Sequence, residues 1–467
     1  MPTSGPNKNP RDRVRLKVLD PARPDSGGVT LDTWESYTFE NDLFTPADSF
    51  SFRLGLTRPT GRRLTAEYLD KIRDLLKPDT VVRLTIGDQE IAAGTGIIDD
   101  SFVHADRNGG AFVDVSGRDG MSLLQDNVAS QKLTISGAQT LPTIADAVVA
   151  KYRGHGLDWA VLSDNASNRN ILTGKVQPLV PRFGQIGNKV RLGGNVEVPI
   201  TSRAAQKIPV SVDFFRQPFE EARPHMGEYE YEFLDRHARN VGVMMWMDEA
   251  GSLVFSQPDY SQSAIFKFYR FLPGQNAIKN NILSGGVRRN TANSATTVKV
   301  IGHAEGREEM RTQVVHTETL DPRVFQAVLR TGGDLVDAFS SAVVSTPTGQ
   351  RRVLKTRSTV ESVTTFGNYS WPRAKVVRDA HAKDKTRAQH VARRAISRAN
   401  TNLVTLEYEV QGYEQNGYVF APDTVAYVED EIGGVRGEFY ITGRTLKKDR
   451  RSETTTVKMV PVGAIVL

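Results

Sequence analysis

The segment Pro78-Asp79-Thr80-Val81 recurs near the end of the chain as Pro422-Asp423-Thr424-Val425. In both places a Pro-Asp turn leads into a strand that begins with β-branched residues. The same offset, applied without a gap, aligns Ile97 with Ile441, Phe102 with Leu446, Val113 with Val457 and Val115 with Met459. A shared β-fold requires each strand to keep its apolar phase. The repeat therefore predicts two copies of one small β-domain.

Each copy is expected to contain a leading strand and a helix. Residues 47–55 resemble residues 292–302, which predicts equivalent leading strands. Apolar side chains at helical spacing predict helices over 64–76 and 384–400, each placed before a Pro-Asp-Thr-Val strand. The stretch from about 305 to 385 fits no single period, so we interpret it as an insertion that splits the second copy.

These patterns predict a mainly β fold with α+β parts, in which two β-barrel domains arise by internal duplication beside a smaller α/β domain. The predicted division is a disordered tail at 1–14, a first barrel at 15–127, a mixed α/β domain at 128–281 with a helix at 141–153 and a helix-hairpin at 228–256, a second barrel at 282–304 and 386–467, and the insertion at 305–385.

Composition excludes several kinds of chemistry. The 467 residues include no cysteine, so disulfides, thiol nucleophiles and Cys-ligated metal centres are ruled out. Lys and Arg number 60 against 54 Asp and Glu, a net charge of +6 that is small for this length. We find neither the roughly 18-residue apolar run of a membrane helix nor the apolar core of a secretory signal. These features predict a protein made in a cytoplasm without a membrane anchor.

The catalytic motifs that we sought are missing or incomplete. Gly94-Thr95-Gly96 has Asp99 where a dinucleotide fingerprint needs its third glycine. There is no Walker A, His-Glu-x-x-His or Gly-x-Ser-x-Gly pattern. Asp99 and Asp100 are adjacent on a predicted strand and should point to opposite faces, whereas glycosidase carboxylates converge on one cleft. The sequence therefore predicts no catalytic residue, no cofactor and no metal, and hence no enzyme.

The densest cluster of basic residues lies between Arg373 and Arg398. On the helix predicted there, Arg387, Arg394 and Arg398 share one face, opposite the alanine-rich side. Three interpretations are open: a solvated helix face, a contact with acidic residues of another subunit or partner, and DNA binding, which the lack of interleaved aromatic residues disfavours. We take these three arginines as the candidate interface.

Several segments, taken in order, resemble those of one known family. They are Val29–Phe39 with Ser51–Leu54, Gly94–Asp100 with Val115–Asp119, Tyr231–Arg239 with Val243–Val254, and Gly417–Asp423 with Phe439–Ile441. Together they resemble the baseplate hub proteins of contractile-tailed bacteriophages of the Mu-like type. The likeness extends over most of the chain, although each segment reflects the fold rather than a reaction.

The resemblance implies a homotrimer whose tail-tube-like β-barrel domains form a pseudo-hexameric ring. Such a structural virion protein joins the hexameric tail tube to the trimeric central spike and forms part of the central channel. Implied partners are the tail tube protein or tube initiator, the spike, and baseplate wedge and tape-measure proteins, with DNA only in transit. The implied location is the virion baseplate, after assembly in the host cytoplasm. Two other classes stay open: a tail-associated peptidoglycan hydrolase and a carbohydrate-binding β-protein.

Overall fold

A computed structural model gives the fold of most of the chain. It describes residues 14–19, 29–31, 35–56, 66–86, 91–106, 110–133, 139–155, 161–163, 185–186, 189–192, 196–199, 218–219, 222–247, 253–256, 258, 260, 264–304, 312–320, 343–346, 349–352, 356–359, 373–379, 382, 385–416, 418–449 and 452–465. The predicted disordered tail, apart from Val14, and much of the predicted insertion lie outside these residues.

The strands, in chain order, are β1 (Val14–Val18), β2 (Val29–Leu31), β3 (Ser36–Asp42), β4 (Ser49–Gly55), β5 (Val81–Ile86), β6 (Ile91–Asp106), β7 (Gly110–Asp119), β8 (Val161–Ser163), β9 (Gln185–Ile186), β10 (Lys189–Leu192), β11 (Val196–Pro199), β12 (Met244–Met247), β13 (Leu253–Ser256), β14 (Phe266–Arg270), β15 (Ile282–Arg289), β16 (Thr297–Ala304), β17 (Thr312–Leu320), β18 (Val343–Thr346), β19 (Gly349–Arg352), β20 (Thr356–Thr359), β21 (Ala374–Arg378), β22 (Val404–Gln411), β23 (Glu414–Gln415), β24 (Tyr418–Val419), β25 (Thr424–Asp430), β26 (Val435–Lys448) and β27 (Glu453–Pro461). The α-helices are α1 (Ala66–Leu75), α2 (Met121–Asp126), α3 (Leu141–Val149), α4 (Glu230–Asn240) and α5 (Lys385–Asn400), with 3-10 turns at Ala150–His155 and Gln275–Lys279.

A 13-stranded, mostly antiparallel sheet dominates the molecule, which confirms the predicted mainly β fold. Five of its strands form the run β3-β4-β7-β6-β5, which β1 and β2 extend; we call these seven strands the first β-unit. A second run, β15-β22-β27-β26-β25, is extended by β14, and we call these six strands the second β-unit. In both five-strand runs every neighbouring pair is antiparallel.

The two β-units also share their irregularities. Asp79 and Asp423 both have positive φ, 67° and 58°, a conformation that Asp tolerates better than most residues. Their backbone N–H groups donate to the carbonyl oxygens of Ile98 and Ile441, each at 2.9 Å. Immediately after Ile98 and Ile441, a register shift interrupts the ladder to the following strand. The repeated Pro-Asp turn therefore marks the same structural position twice.

The gap-free alignment of the two copies is wrong by one residue in β6 and by two in β7, where Val115 corresponds to Val457 rather than to Met459. Val81 pairs with Ile97, whereas Val425 pairs with Tyr440, so Ile97 corresponds to Tyr440 rather than to Ile441. The reason for the shift in β6 is a bulge in the β5–β6 ladder, which adds one residue to β6, while the β25–β26 ladder is regular.

The proposed match of 47–55 with 292–302 is also wrong. The strand that occupies the place of β4 is β22, since β4 pairs with β7 and β22 pairs with the corresponding β27. Strand β16 belongs to a separate four-stranded sheet, β20-β17-β16-β21. Helix α5 packs on β16 and β17, so it does not take the place of α1. The long segment between β15 and β22 concealed the true match along the sequence.

Other expected elements are present. The helix-hairpin predicted at 228–256 is α4 followed by the β12–β13 hairpin, and the helix predicted at 141–153 is α3 with its 3-10 continuation. The hairpin gains β8 as a parallel third strand. The domain bounds themselves stay predictions. Because β15 and β22 are neighbours in the sheet, we propose that the inserted unit begins after β15 and ends before β22.

Three apolar cores correspond to these parts of the chain. One lies in the first β-unit, one in the second β-unit and under α5, and one around α3, α4 and the β12–β13 hairpin. Tyr413, Val419 and Leu446, which flank or belong to the second β-unit, pack into the core of the first. The two β-units are thus bound by apolar burial as well as by backbone hydrogen bonds.

Two glycines leave room for Phe50 between β4, β6 and β7. A Cβ atom on Gly96 would lie 2.3 Å from Phe50 Cε1, and a Cβ atom on Gly117 would lie 2.0 Å from the Ile97 carbonyl oxygen. Neither clash can be relieved by a side-chain rotation alone, since the Cβ on Gly96 would also lie 2.8 Å from the Arg118 carbonyl oxygen and both clashes therefore involve the backbone.

We expect Gly117→Ala to lower the free energy of unfolding by about 1–3 kcal/mol, the usual cost of overpacking a core. Urea denaturation measures the loss. Gly274→Ala is the matched control, because the nearest atom to its added Cβ is 3.9 Å away. Equal midpoints for Gly117→Ala and the control would contradict the packing described here.

Candidate assembly surfaces

The joint between the two β-units is formed by a single long strand. One edge of β26 pairs with β25 through residues 435–441 and then with β3 through residues 443–448. The opposite edge pairs with β27. Strand β3 belongs to the first β-unit, so this pairing fuses two repeated units into one continuous sheet. The chain therefore contains one edge-to-edge junction between two similar units.

A buried polar network supports this junction. The Arg444 Nε donates to Asn41 Oδ1 at 2.9 Å, and Asn41 Nδ2 donates to Asp48 Oδ2 at 2.7 Å. Arg444 also donates to the carbonyl oxygen of Phe420. The backbone N–H of Asp119 donates to the Asp48 carbonyl oxygen at 2.9 Å. Arg444, from the second β-unit, is thereby linked through Asn41 of β3 to Asp48 in the turn that joins β3 and β4.

Two carboxyl groups of this network have raised pKa values. Burial raises the pKa of Asp48 to about 7, although hydrogen bonds from Asn41 and the Asp42 backbone and the charge of Arg444 oppose the shift. Burial, together with the nearby charge of Asp48, holds the pKa of Asp119 well above its usual value. The pair therefore retains a proton at pH values where ordinary carboxyl groups have lost theirs.

This pair predicts stability that falls as pH rises. A carboxyl group with a raised folded-state pKa binds its proton more tightly in the folded chain than in the unfolded one. The stability that this tighter binding gives the folded chain is lost as the pH rises from about 4 to about 7. We expect a lower free energy of unfolding at about pH 8 than at about pH 5, and a smaller difference in Asp119→Asn. Urea denaturation at the two pH values measures it. The exposed Asp100→Asn is the control, and an unchanged difference in Asp119→Asn would refute the assignment.

Among the strand edges without a strand partner in the described part of the chain, two belong to the ladders that form the repeated β-units. Residues 100–105 of β6 pair with β7 on one side only, because β5 ends its pairing at Ile97. Strand β15 pairs with β22 and terminates the sheet. We call these two stretches the β6 edge and the β15 edge. Both carry exposed apolar side chains, with Phe102 58% and Leu283 56% exposed.

The candidate basic face of α5 divides into engaged and exposed residues. Arg394 forms an ion pair with Asp235 of α4 and donates from Nη1 to the Val243 carbonyl oxygen at 2.9 Å. Burial lowers its pKa. Arg387 lies over the Phe219 ring at 5.2 Å and donates to the Pro218 carbonyl oxygen at 3.3 Å. Arg398 is exposed. The acidic partner of Arg394 is therefore Asp235 of the same chain rather than a residue of another subunit. A contact of Arg398 with another subunit stays a prediction.

Of the adjacent carboxylates Asp99 and Asp100 singled out from the sequence, Asp99 forms an ion pair. Asp99 accepts from Arg118 Nε at 2.8 Å, and Arg118 Nη2 donates to Asp126 at 2.6 Å. These two acids raise the pKa of the Arg118 guanidinium. Within the described ranges, no group of three or more His, Cys, Asp or Glu side chains is arranged to hold a metal ion. None of the helices described is long and apolar enough to cross a membrane.

Comparisons with known proteins identify the fold. No protein-family model matches the chain, and no curated protein matches it by sequence. A tail protein from Neisseria meningitidis MC58 is similar with a TM-score of 0.60 and 17% identity, covering 97% of both chains. The 43 kDa tail protein of prophage MuSo2 from Shewanella oneidensis has a TM-score of 0.58 and 15% identity, covering 97% of this chain and 99% of its own.

The chain therefore has the fold of phage tail proteins, as the resemblance in the sequence predicted. The polar network at the junction and the two open strand edges were not singled out from the sequence. Asn41, Asp48 and Arg444 come together only when the first and second β-units join, and Phe102 and Leu283 stand out only as residues of open edges. The duplication was the usable signal, since equivalent strands in two units reveal an edge that is paired in one and open in the other.

Proposed function

We propose that this chain is a structural component of a phage-type tail, namely the homotrimeric baseplate hub. The observation that carries the proposal is the edge-to-edge junction of two similar β-units in one chain. Three such chains bring six similar units around one axis. The ring then offers pseudo-sixfold symmetry to a hexameric tail tube and threefold symmetry to a trimeric central spike.

In this role the protein acts through geometry. Its ring encloses part of the central channel, through which DNA passes in transit. The tail tube protein or tube initiator binds one face and the spike the other, and baseplate wedge and tape-measure proteins contact the periphery or the channel mouth. We place the protein in the virion baseplate after assembly in the host cytoplasm, and we assign it no catalytic step.

The mass of the protein in solution tests the proposal. Light scattering is expected to give three times the chain mass of 51.6 kDa, and to do so across a wide range of concentration because hub interfaces are obligate. A strict monomer at high concentration would contradict the proposal. Clearing of peptidoglycan in a zymogram, with a monomeric mass, would favour the hydrolase instead.

A further inference from the structure

We propose that the β6 edge of one copy pairs, antiparallel, with the β15 edge of a second copy, in a register that repeats the β26–β3 junction. The pairing places Val103 opposite Val287 and Phe102 opposite Arg288 of the second copy. This inference rests on the proposed ring and specifies the strands that close it.

The first half of the register follows from the bulge that the two β-units share. In the second β-unit the ladder shifts after Ile441 and resumes at Gly443, and in the first it shifts after Ile98 and resumes at Asp100. Gly443 of β26 therefore corresponds to Asp100 of β6. Counting onward along both strands, Leu446 corresponds to Val103.

The second half follows from the strands that flank β3 and β15. Phe39 of β3 pairs with Phe50, which pairs with Gly117. Val287 of β15 pairs with Leu406, which pairs with Met459. Gly117 and Met459 are equivalent, because they face the equivalent residues Ile98 and Ile441. Phe39 therefore corresponds to Val287.

The register then follows from the junction inside the chain. Leu446 pairs with Phe39 across β26 and β3. Replacing each by its equivalent gives Val103 opposite Val287, and the next two positions of the ladder then place Phe102 opposite Arg288 and Ser101 opposite Arg289. Val103 and Val287 are each half-buried against the core of their own β-unit, so pairing would complete the burial of both.

The side chains on the two edges are complementary. Phe102 is 58% exposed, and an arginine opposite it supplies an apolar stem and a cation for the ring face. The Arg289 side chain donates from Nη2 to the Gly433 carbonyl oxygen at 3.4 Å, while its Nε is buried without a hydrogen-bond partner among the described residues. At the same ladder position in the internal junction, Arg444 bonds Asn41 across the strands. Ser101 of the second copy supplies a comparable polar partner for Arg289.

The proposed contact is head-to-tail. Each copy presents one β6 edge and one β15 edge, so the same contact repeats from copy to copy and closes when the rotation completes a circle. Open strand edges pair readily with other chains unless they are covered. A closed ring covers both edges of every copy.

Engineered cysteines test the pairing directly, because the natural chain has none. We expect Phe102→Cys/Arg288→Cys to convert under mild oxidation into a species of three covalently linked chains on a denaturing gel, which returns to monomer on reduction. Each single variant alone should stay monomeric on the gel. Unfolding and refolding the two single variants together should give linked pairs, which shows that the bond joins different copies.

A register control sharpens the test. Phe102→Cys/Gly286→Cys moves the second cysteine two positions along the same face of β15, and a Cβ atom there meets nothing within 4 Å. We expect far less linked product from it than from the first double variant. Suppose that the wild type is a trimer but that Phe102→Cys/Arg288→Cys gives no more linked product than Phe102→Cys/Gly286→Cys. That result would overturn this pairing and leave the proposed function standing. A wild-type protein that is strictly monomeric would overturn both.

Discussion

Arg444→Met is expected to lower the free energy of unfolding by about 2–5 kcal/mol, because it leaves two buried oxygen acceptors without their donor. Arg444 is 3% exposed and donates to Asn41 and to the Phe420 carbonyl oxygen. Methionine retains most of the apolar volume, so the loss reports mainly the missing charge and hydrogen bonds. Urea denaturation measures it.

The pH dependence of this loss gives a second readout. The charge of Arg444 lowers the pKa of Asp48, against the effect of burial. Without that charge, deprotonation of Asp48 becomes more costly, so the destabilisation should be larger at about pH 8 than at about pH 5. Lys447→Met is the control, because Lys447 lies on the same strand with an exposed side chain. Equal effects of the two substitutions would contradict the role given to the network.

Arg394→Met is expected to cost a similar amount, about 3–5 kcal/mol, because it leaves the Asp235 carboxylate buried with weaker compensation. The Arg394 and Asp235 side chains are only 14% and 10% exposed, and the pair connects α5 to α4. Arg239 Nε lies 3.4 Å from the Asp235 carboxylate with its side chain 39% exposed, so it offers partial compensation. Urea denaturation measures the loss.

A double variant separates the pair from its packing. In Arg394→Met/Asp235→Leu the unpaired charge is gone, so we expect a cost well below the sum of the two single effects. Arg398→Met, one helical turn from Arg394 and exposed, is the matched control and should unfold like the wild type. A strictly additive double variant would show that the ion pair is not what makes Arg394 important.

The repeat of Pro-Asp-Thr-Val was a sound guide to the fold, because it encodes a positive-φ turn at the same place in two β-units. It could not give the exact alignment, since the bulge in β6 leaves no mark in the pattern of apolar residues. Nor could it identify β22 as the partner of β4. The apolar alternation of β16 resembles that of β4 as well as the alternation of β22 does. Only the hydrogen bonding between strands assigns β16 to a different sheet.

The basic face of α5 shows a different limit. Helical spacing places the three arginines on one side of the helix, but it gave no information about what packs there. Arg394 meets Asp235, a residue far away in sequence, because α4 crosses α5 in the folded chain. Partners that come from distant segments are set by packing, which local periodicity does not record.

Negative-stain electron microscopy of the purified protein shows whether three copies form one ring of six similar units. We expect averaged end views to show a threefold particle with six similar lobes around an open centre. Particles of single-chain size, or rings whose averages lack the six lobes, would contradict this arrangement.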